Sequence, residues 1–147
     1  MTNKFNTNIF NPGWVAGFID GEGTLHVAIN KNSTMALGYQ VQLQFAITQH
    51  IRDELMMLKF IDFFGGGTIV NDGPLKVQYR IRSFKLLENL FDLLGKYPLQ
   101  TQKRLDAECF RQVYDMMVDR KHLTSEGLEV IRSIKSTMNR SRKAEYK

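Results

Sequence analysis

Two carboxylates, Asp20 and Glu22, stand two residues apart in the stretch 11–23, NPGWVAGFIDGEG, where a helix should end. Asn11 is a good helix N-cap, and Pro12 suits the first helical position, where a missing N–H costs nothing. Gly21 and Gly23 bracket Glu22 at the expected C-terminus. Acids are misplaced there, because the negative end of the helix dipole already occupies that position. Their presence suggests a site neutralised by a metal cation. In the same helix Gly13, Ala16 and Gly17 fall on one side at spacings of three and four, and Gly21 continues the row. Glycine inside a helix costs roughly 1 kcal/mol relative to alanine. A row of small residues therefore implies that a second backbone comes close on that face.

The elements that must hold these groups read as follows. Residues 1–10 are polar with two phenylalanines, expected to form a loosely docked arm. Residues 24–30 alternate, with Leu25, Val27 and Ile29 against Thr24, His26, Ala28 and Asn30, which predicts a half-buried strand. Residues 31–38 read as a turn, and a second strand runs over 39–48. Val41, Leu43, Phe45 and Ile47 face its core side, opposite Gln40, Gln42, Gln44, Ala46 and Thr48. The short link makes the two an antiparallel hairpin. Over 51–64 the period turns helical, with Leu55, Leu58, Ile61 and Phe64 as the stripe, stopped by the glycines 65–67. A short strand at 68–71, a turn at 71–74 and a strand at 76–82 form a second hairpin. Ser83 caps a helix ended by Gly95, Thr101 is placed to cap a long helix to about Asp119, and Thr124 caps a last helix carrying Leu128, Ile131, Ile134 and Met138. This order is an α+β layer, with helices on one face of a four-stranded antiparallel sheet and extra helices at the C-terminus.

Bulk properties bound the rest. A chain of 147 residues with 43% hydrophobic residues suits one domain over 1–147 with a sizeable core. The lone Cys109 excludes an internal disulfide framework and fits a reducing intracellular compartment, where it reads as a structural thiol. No stretch approaches the ~18 apolar residues of a membrane span. The net charge of +5 comes from the end of the chain. Arg132, Lys135, Arg140, Arg142, Lys143 and Lys147 outnumber Glu145, while the first 131 residues are balanced. A basic tail over 140–147 is ordinarily a solvated end, so charge permits DNA binding without demanding it.

The solvent face of the sheet is more informative. It carries His26, Asn30, Gln40, Gln42, Gln44, Gln78, Arg80 and Arg82 in place of the usual Lys, Glu and Thr. Gln and Asn can pair with adenine edges and Arg with guanine in a major groove, while Lys31, Lys76 and Lys85 could meet phosphates.

Residues 15–23, VAGFIDGEG, resemble the nine-letter signature of the LAGLIDADG homing endonucleases. Ala16, Gly17, Ile19, Asp20 and Gly23 match it letter for letter; Val15 and Phe18 stand for leucines, Gly21 for alanine and Glu22 for the second aspartate. The family's αββαββα core has the order read above from residue 11 to about 119, and 122–139 is similar to the C-terminal end of two-motif relatives. The resemblance implies a site-specific, intron-encoded nuclease that hydrolyses double-stranded DNA with Mg²⁺ and leaves 3′ overhangs. It places the metal on Glu22 and the main-chain oxygen of Gly21, and gives Asp20 a more structural part tying the helix end. Gln49 resembles the polar residue that orders active-site water. The segment PLQTQK resembles the family's lysine-bearing stretch, with the lysine at Lys103 or its place taken by Gln102. The sheet becomes the DNA saddle, adding Lys31, Thr68, Val70, Asp72 and Lys76 to the face. One motif per chain implies a homodimer joined through Gly13, Ala16 and Gly17, a pseudo-palindromic target, and a mitochondrial or chloroplast setting. The similarity to two-motif relatives leaves a further alternative, a separated or engineered half that dimerises only with itself. Alternatives are an RNA-splicing maturase, a DNA-binding regulator on the same fold, or an interaction module whose glycine helix only dimerises.

Overall fold

The computed structural model describes residues 3–139; the basic tail 140–147 lies outside them. The elements are α1 (Pro12–Glu22), β1 (Gly23–Lys31), β2 (Tyr39–His50), α2 (Glu54–Phe64, entered through a 3-10 turn at Ile51–Asp53), β3 (Thr68–Asn71), β4 (Lys76–Ile81), α3 (Phe84–Lys96), α4 (Lys103–Val118) and α5 (Ser125–Ser136). The strands form one four-stranded antiparallel sheet in the order β1-β2-β4-β3. No helix among the described residues is long and apolar enough to cross a membrane. The described residues form two compact units, 3–24 with Gln44–Thr101, and Leu25–Leu43 with 102–139.

The first unit is organised around aromatic rings. Phe60 lies 4.9 Å from Phe10, 5.9 Å from Phe18 and 5.7 Å from Tyr79, centroid to centroid. Tyr79 needs Gly67 beneath it, because a β-carbon there would sit 2.6 Å from the ring and the backbone has φ +106°. The tyrosine hydroxyl donates to the Gly66 carbonyl at 2.6 Å, and burial pushes its pKa up. The N-terminal arm, expected to dock loosely, is fixed instead. Phe5 is buried against Phe63 at 5.5 Å, and the Asn6 N–H donates to the Phe63 carbonyl at 2.8 Å.

Three further expectations change here. The buried side of α2 is Met57, Phe60, Phe63 and Phe64, whereas Leu55 and Leu58 are 79% and 41% exposed. Bulky rings and Met57, rather than the leucines, fill the space above the sheet. Helix α3 runs two residues past Leu94, through Gly95 to Lys96, because Gly95 does not take the left-handed backbone that would end it and Tyr97 holds the C-cap position instead. Ala46 was expected on the solvent face but is 3% exposed, its one methyl lying shorter than its cross-strand neighbour Arg80.

In the second unit the buried residues Leu25, Val27, Val41 and Leu43 of the first hairpin and Phe110, Val113, Leu128, Ile131 and Met138 of α4 and α5 supply the core. Thr124 caps α5 as read, accepting the Gly127 N–H at 3.0 Å. Gly127 is required, since a β-carbon would fall 1.7 Å from the Lys121 carbonyl oxygen. Asp106, buried in α4, accepts the Asn139 N–H at 3.1 Å, and the Asn139 side chain donates to the Leu25 carbonyl at 3.0 Å. Cys109 is half-buried, its sulfur 3.8 Å from the Thr137 hydroxyl.

Candidate nucleic-acid interface and carboxylate site

Helix α1 is built as its sequence prescribes. The Asn11 side chain accepts the Trp14 N–H at 3.1 Å, Pro12 opens the helix, and the Gly23 N–H closes it on the Ile19 carbonyl. Val15, Ala16 and Ile19 are buried, and the opposite side is open. A β-carbon at Gly17 or Gly21 would meet nothing within 4 Å, and one at Gly13 would approach only Asn11 and the Tyr97 ring. So Gly13 and Gly17 lie on an exposed face while Ala16 is buried behind it. Beside this row is a cleft of about 340 Å³ lined by Gly13, Ala16, Gly17, Asp20, Tyr97 and Gln100, among others.

The two acids part company at the foot of the helix. The Asp20 carboxylate accepts the N–H of Gln100 at 2.7 Å, the N–H of Thr101 at 3.2 Å and the Thr101 hydroxyl. Thr101 was expected to cap α4, but the helix begins at Lys103, so Gln102 holds the cap position without a side-chain bond, and the Thr101 hydroxyl donates to Asp20. Glu22, last residue of α1, is exposed. Gln49 is half-buried next to the end of β2, in register with Val77, on the side of the strand that carries Phe45 and Ile47. Lys103 is the first residue of α4 and is half-buried. Among the described residues no three His, Cys, Asp or Glu side chains converge. Mg²⁺ does not need such a cage, because it keeps several waters and binds through one or two carboxylates and substrate phosphates. Exposed Glu22 beside the Gly21 carbonyl is a hard-oxygen donor set that fits it.

The polar side of the sheet assembles in rows. Thr68 pairs with Arg80 and Arg80 with Ala46; Val70 pairs with Gln78 and Gln78 with Thr48; Lys76 pairs with His50. Arg82 Nε donates to Gln44 Oε1 at 2.7 Å, Arg80 Nε donates to Gln78 Oε1, and Gln78 Nε2 donates to Thr48 Oγ1 at 3.0 Å. On the first hairpin Asn32 donates to Gln40 at 3.1 Å. Thr24, His26, Asn30, Lys31, Gln42, Asp72, Lys76 and Arg82 are exposed, and Ala28, Gln40, Gln44, Thr48, Val70, Gln78 and Arg80 are half-buried. Partial desolvation of the ring, with a smaller push from the charge of Lys135, holds the His26 pKa below its usual value although the residue as a whole is exposed. His50 was not singled out from the sequence, yet it lies on this face, its Nδ1 accepting the Arg52 N–H at 3.1 Å. The continuing even-number parity of β2 was the signal for it.

Comparison with known proteins supplies the context. The family model described as LAGLIDADG endonuclease matches residues 15–114. A Neurospora crassa protein described as probable intron-encoded endonuclease 3 is 33% identical over 138 residues, covering 92% of this chain and 26% of that protein. DNA endonuclease I-CreI of Chlamydomonas reinhardtii is 25% identical over 130 residues, covering 88% and 77%. The crystal structure of the homing endonuclease I-TnaI superposes with a TM-score of 0.86 at 37% identity, covering 92% of this chain and 94% of that one. That of I-LtrWI bound to target DNA gives 0.87 at 37% identity, covering 93% and 47%. The chain thus spans about a quarter of the Neurospora relative and about half of the I-LtrWI chain.

Proposed function

We propose, from the premise that this chain belongs to the LAGLIDADG endonuclease family, that it is a site-specific double-strand DNA endonuclease acting as a homodimer. The observation that carries the reading is the open glycine face of α1 with exposed Glu22 at its foot. Two copies packed through Gly13 and Gly17 about a twofold axis bring two Glu22 carboxylates to one centre, one for each strand. The match to the homing endonuclease I-TnaI, at a TM-score of 0.86 and 37% identity, supports the nuclease part of this reading. A twofold dimer reads a pseudo-palindromic site, and cleavage leaves 3′ overhangs.

Glu22 and the Gly21 carbonyl would hold Mg²⁺, which when bound supplies charge stabilisation at the phosphate and a more acidic water. Asp20 positions the segment leading into α4. Gln49 hydrogen-bonds water at the reacting phosphate, and Lys103 supplies a cation to it. Thr24, His26, Ala28, Asn30, Lys31, Gln40, Gln42, Gln44, Thr48, Thr68, Val70, Asp72, Lys76, Gln78, Arg80 and Arg82 present the sheet to the major groove. The names of the relatives support an intron-encoded origin, with work in the organelle carrying the intron.

The test is a randomised duplex library incubated with the protein in Mg²⁺ and, in parallel, in Ca²⁺. Sequence-specific double-strand cuts in Mg²⁺ that Glu22→Gln abolishes, with binding retained, support the reading. Specific binding without cleavage overturns the nuclease assignment in favour of a binding protein. Cleavage by Glu22→Gln at the normal rate removes Glu22 from the site.

A further inference from the structure

Two arginines on the sheet have their guanidinium planes set before any DNA arrives. Arg82 spends its Nε–H on Gln44 at 2.7 Å. Arg80 spends its Nε–H on Gln78, and Gln78 is itself oriented by its 3.0 Å bond to Thr48. Both inner N–H groups are thus used within the face, and each fork keeps its two terminal nitrogens for an outside acceptor. The register explains the division of labour. Ala46, directly opposite Arg80, is too short to hold a guanidinium, so Gln78 and Thr48, one pair further along the same face, hold it instead.

We propose that Arg80 and Arg82 each read one guanine, the two guanines lying two base pairs apart on one strand of each half-site. Gln44 and the Gln78–Thr48 pair serve as positioning residues for the two forks. The inference rests on the sheet being the DNA surface. An end-on guanidinium offers both terminal nitrogens to guanine O6 and N7, a bidentate match that no other base edge provides. A phosphate contact needs no fixed plane, whereas a fork already ordered by its neighbours forfeits less side-chain entropy on binding. Arg80 is in β4 and Arg82 is one residue past its end; residues i and i+2 at strand spacing are about 6.6–6.8 Å apart, and two base steps at about 3.4 Å each cover the same distance. Gln44 and Gln78, expected to read adenine, have their carbonyl oxygens engaged by the arginines. Gln42, exposed on the same face, is the glutamine left to read a base edge.

The experiment is selection of bound duplexes from a randomised library in Ca²⁺, with melting temperature as a fold control. Wild-type protein should enrich half-sites with two guanines two base pairs apart. Arg82→Ala should lose roughly 10- to 100-fold of discrimination at one guanine only, and Arg80→Ala at the other only. Gln44→Ala should relax the Arg82 position by roughly 2- to 10-fold, the size of one hydrogen bond, and leave the Arg80 position intact. Thr48→Val should do the reverse. A uniform loss across all sequences, a lost base other than guanine, or a separation other than two pairs overturns the inference. A wild-type protein that enriches no sequence overturns the reading of the sheet as a DNA surface as well.

Discussion

The carboxylate of Asp20 and the hydroxyl of Thr101 are hydrogen-bonded although 81 residues separate them in sequence. With the N–H groups of Gln100 and Thr101 on the same carboxylate, the last turn of α1 hooks the segment that continues into α4. Chain connectivity places Lys103 two residues beyond this hook.

Hydrogen bonds to a charged group contribute about 1.5–3 kcal/mol, against about 1 kcal/mol for a neutral pair. Asp20→Asn should therefore lower stability in urea unfolding by about 1–3 kcal/mol, and Thr101→Val by about 1 kcal/mol. Both should also slow single-turnover cleavage at saturating DNA, while Thr101→Ser restores the rate. An unchanged urea midpoint for Asp20→Asn would show that the hook carries no load.

Glu22 should behave in the opposite way. It places a negative charge on the negative end of α1, a cost of a few tenths of a kcal/mol at an exposed position. Glu22→Gln should leave the fold intact or slightly raise its melting temperature while abolishing cleavage. A variant that melts well below wild type would mean that Glu22 supports the fold, and loss of cleavage could then not be assigned to chemistry.

Gly17 separates folding from association. A methyl group there meets nothing within 4 Å in the single chain, and alanine is favoured over glycine in a helix by about 1 kcal/mol. Gly17→Ala should stabilise the monomer in denaturant at low protein concentration. The same methyl should weaken self-association, because it keeps two backbones apart. Sedimentation of both proteins over a concentration series checks this; equal dimerisation would place the interface elsewhere.

The parts of the fold legible in sequence are those fixed by local chemistry. Asn11, Ser83 and Thr124 cap the helices they were expected to cap. The alternation in β1, β2 and β4 gave the faces correctly, Ala46 apart, because a one-residue slip would bury the polar set. What stayed hidden was settled by distant partners. Thr101 has the chemistry of a cap, but α4 begins at Lys103, so Gln102 stands at the cap position and the Thr101 hydroxyl donates to a carboxylate from α1. Asp106 reads as surface until Asn139 meets it from beyond α5. Helix α2 is apolar almost all round (Leu55, Met56, Met57, Leu58, Phe60, Ile61, Phe63, Phe64), so period alone selects no face. The rings of Phe10, Phe18 and Tyr79 around Phe60 select it.

That choice of face is measurable. Leu55→Lys should change stability by no more than about 0.5 kcal/mol, as surface substitutions do. Phe60→Ala should cost about 3–5 kcal/mol, the range for a fully buried ring. Comparable losses from the two would return the leucine stripe to the core.

His26 and His122 set a pH dependence of stability. His26 is held below the usual histidine value of about 6.5 by desolvation and by the charge of Lys135, and His122 by burial and by the charge of Arg120. The unfolded chain therefore binds more protons than the folded one in the interval between each folded pKa and about 6.5. Stability rises with pH across that interval, is complete above it, and falls as pH drops below about 6.5. Lys135 is the group that discriminates the causes. Lys135→Met removes the charge that opposes imidazolium formation, so the loss of stability on acidification that His26 causes should shrink, while desolvation keeps the rest of it. Urea unfolding of wild type, His26→Gln, His122→Gln and Lys135→Met between pH 5 and 8 measures this. Each histidine variant should flatten part of the slope, and a stability profile that rises on acidification would reverse the sign of the argument.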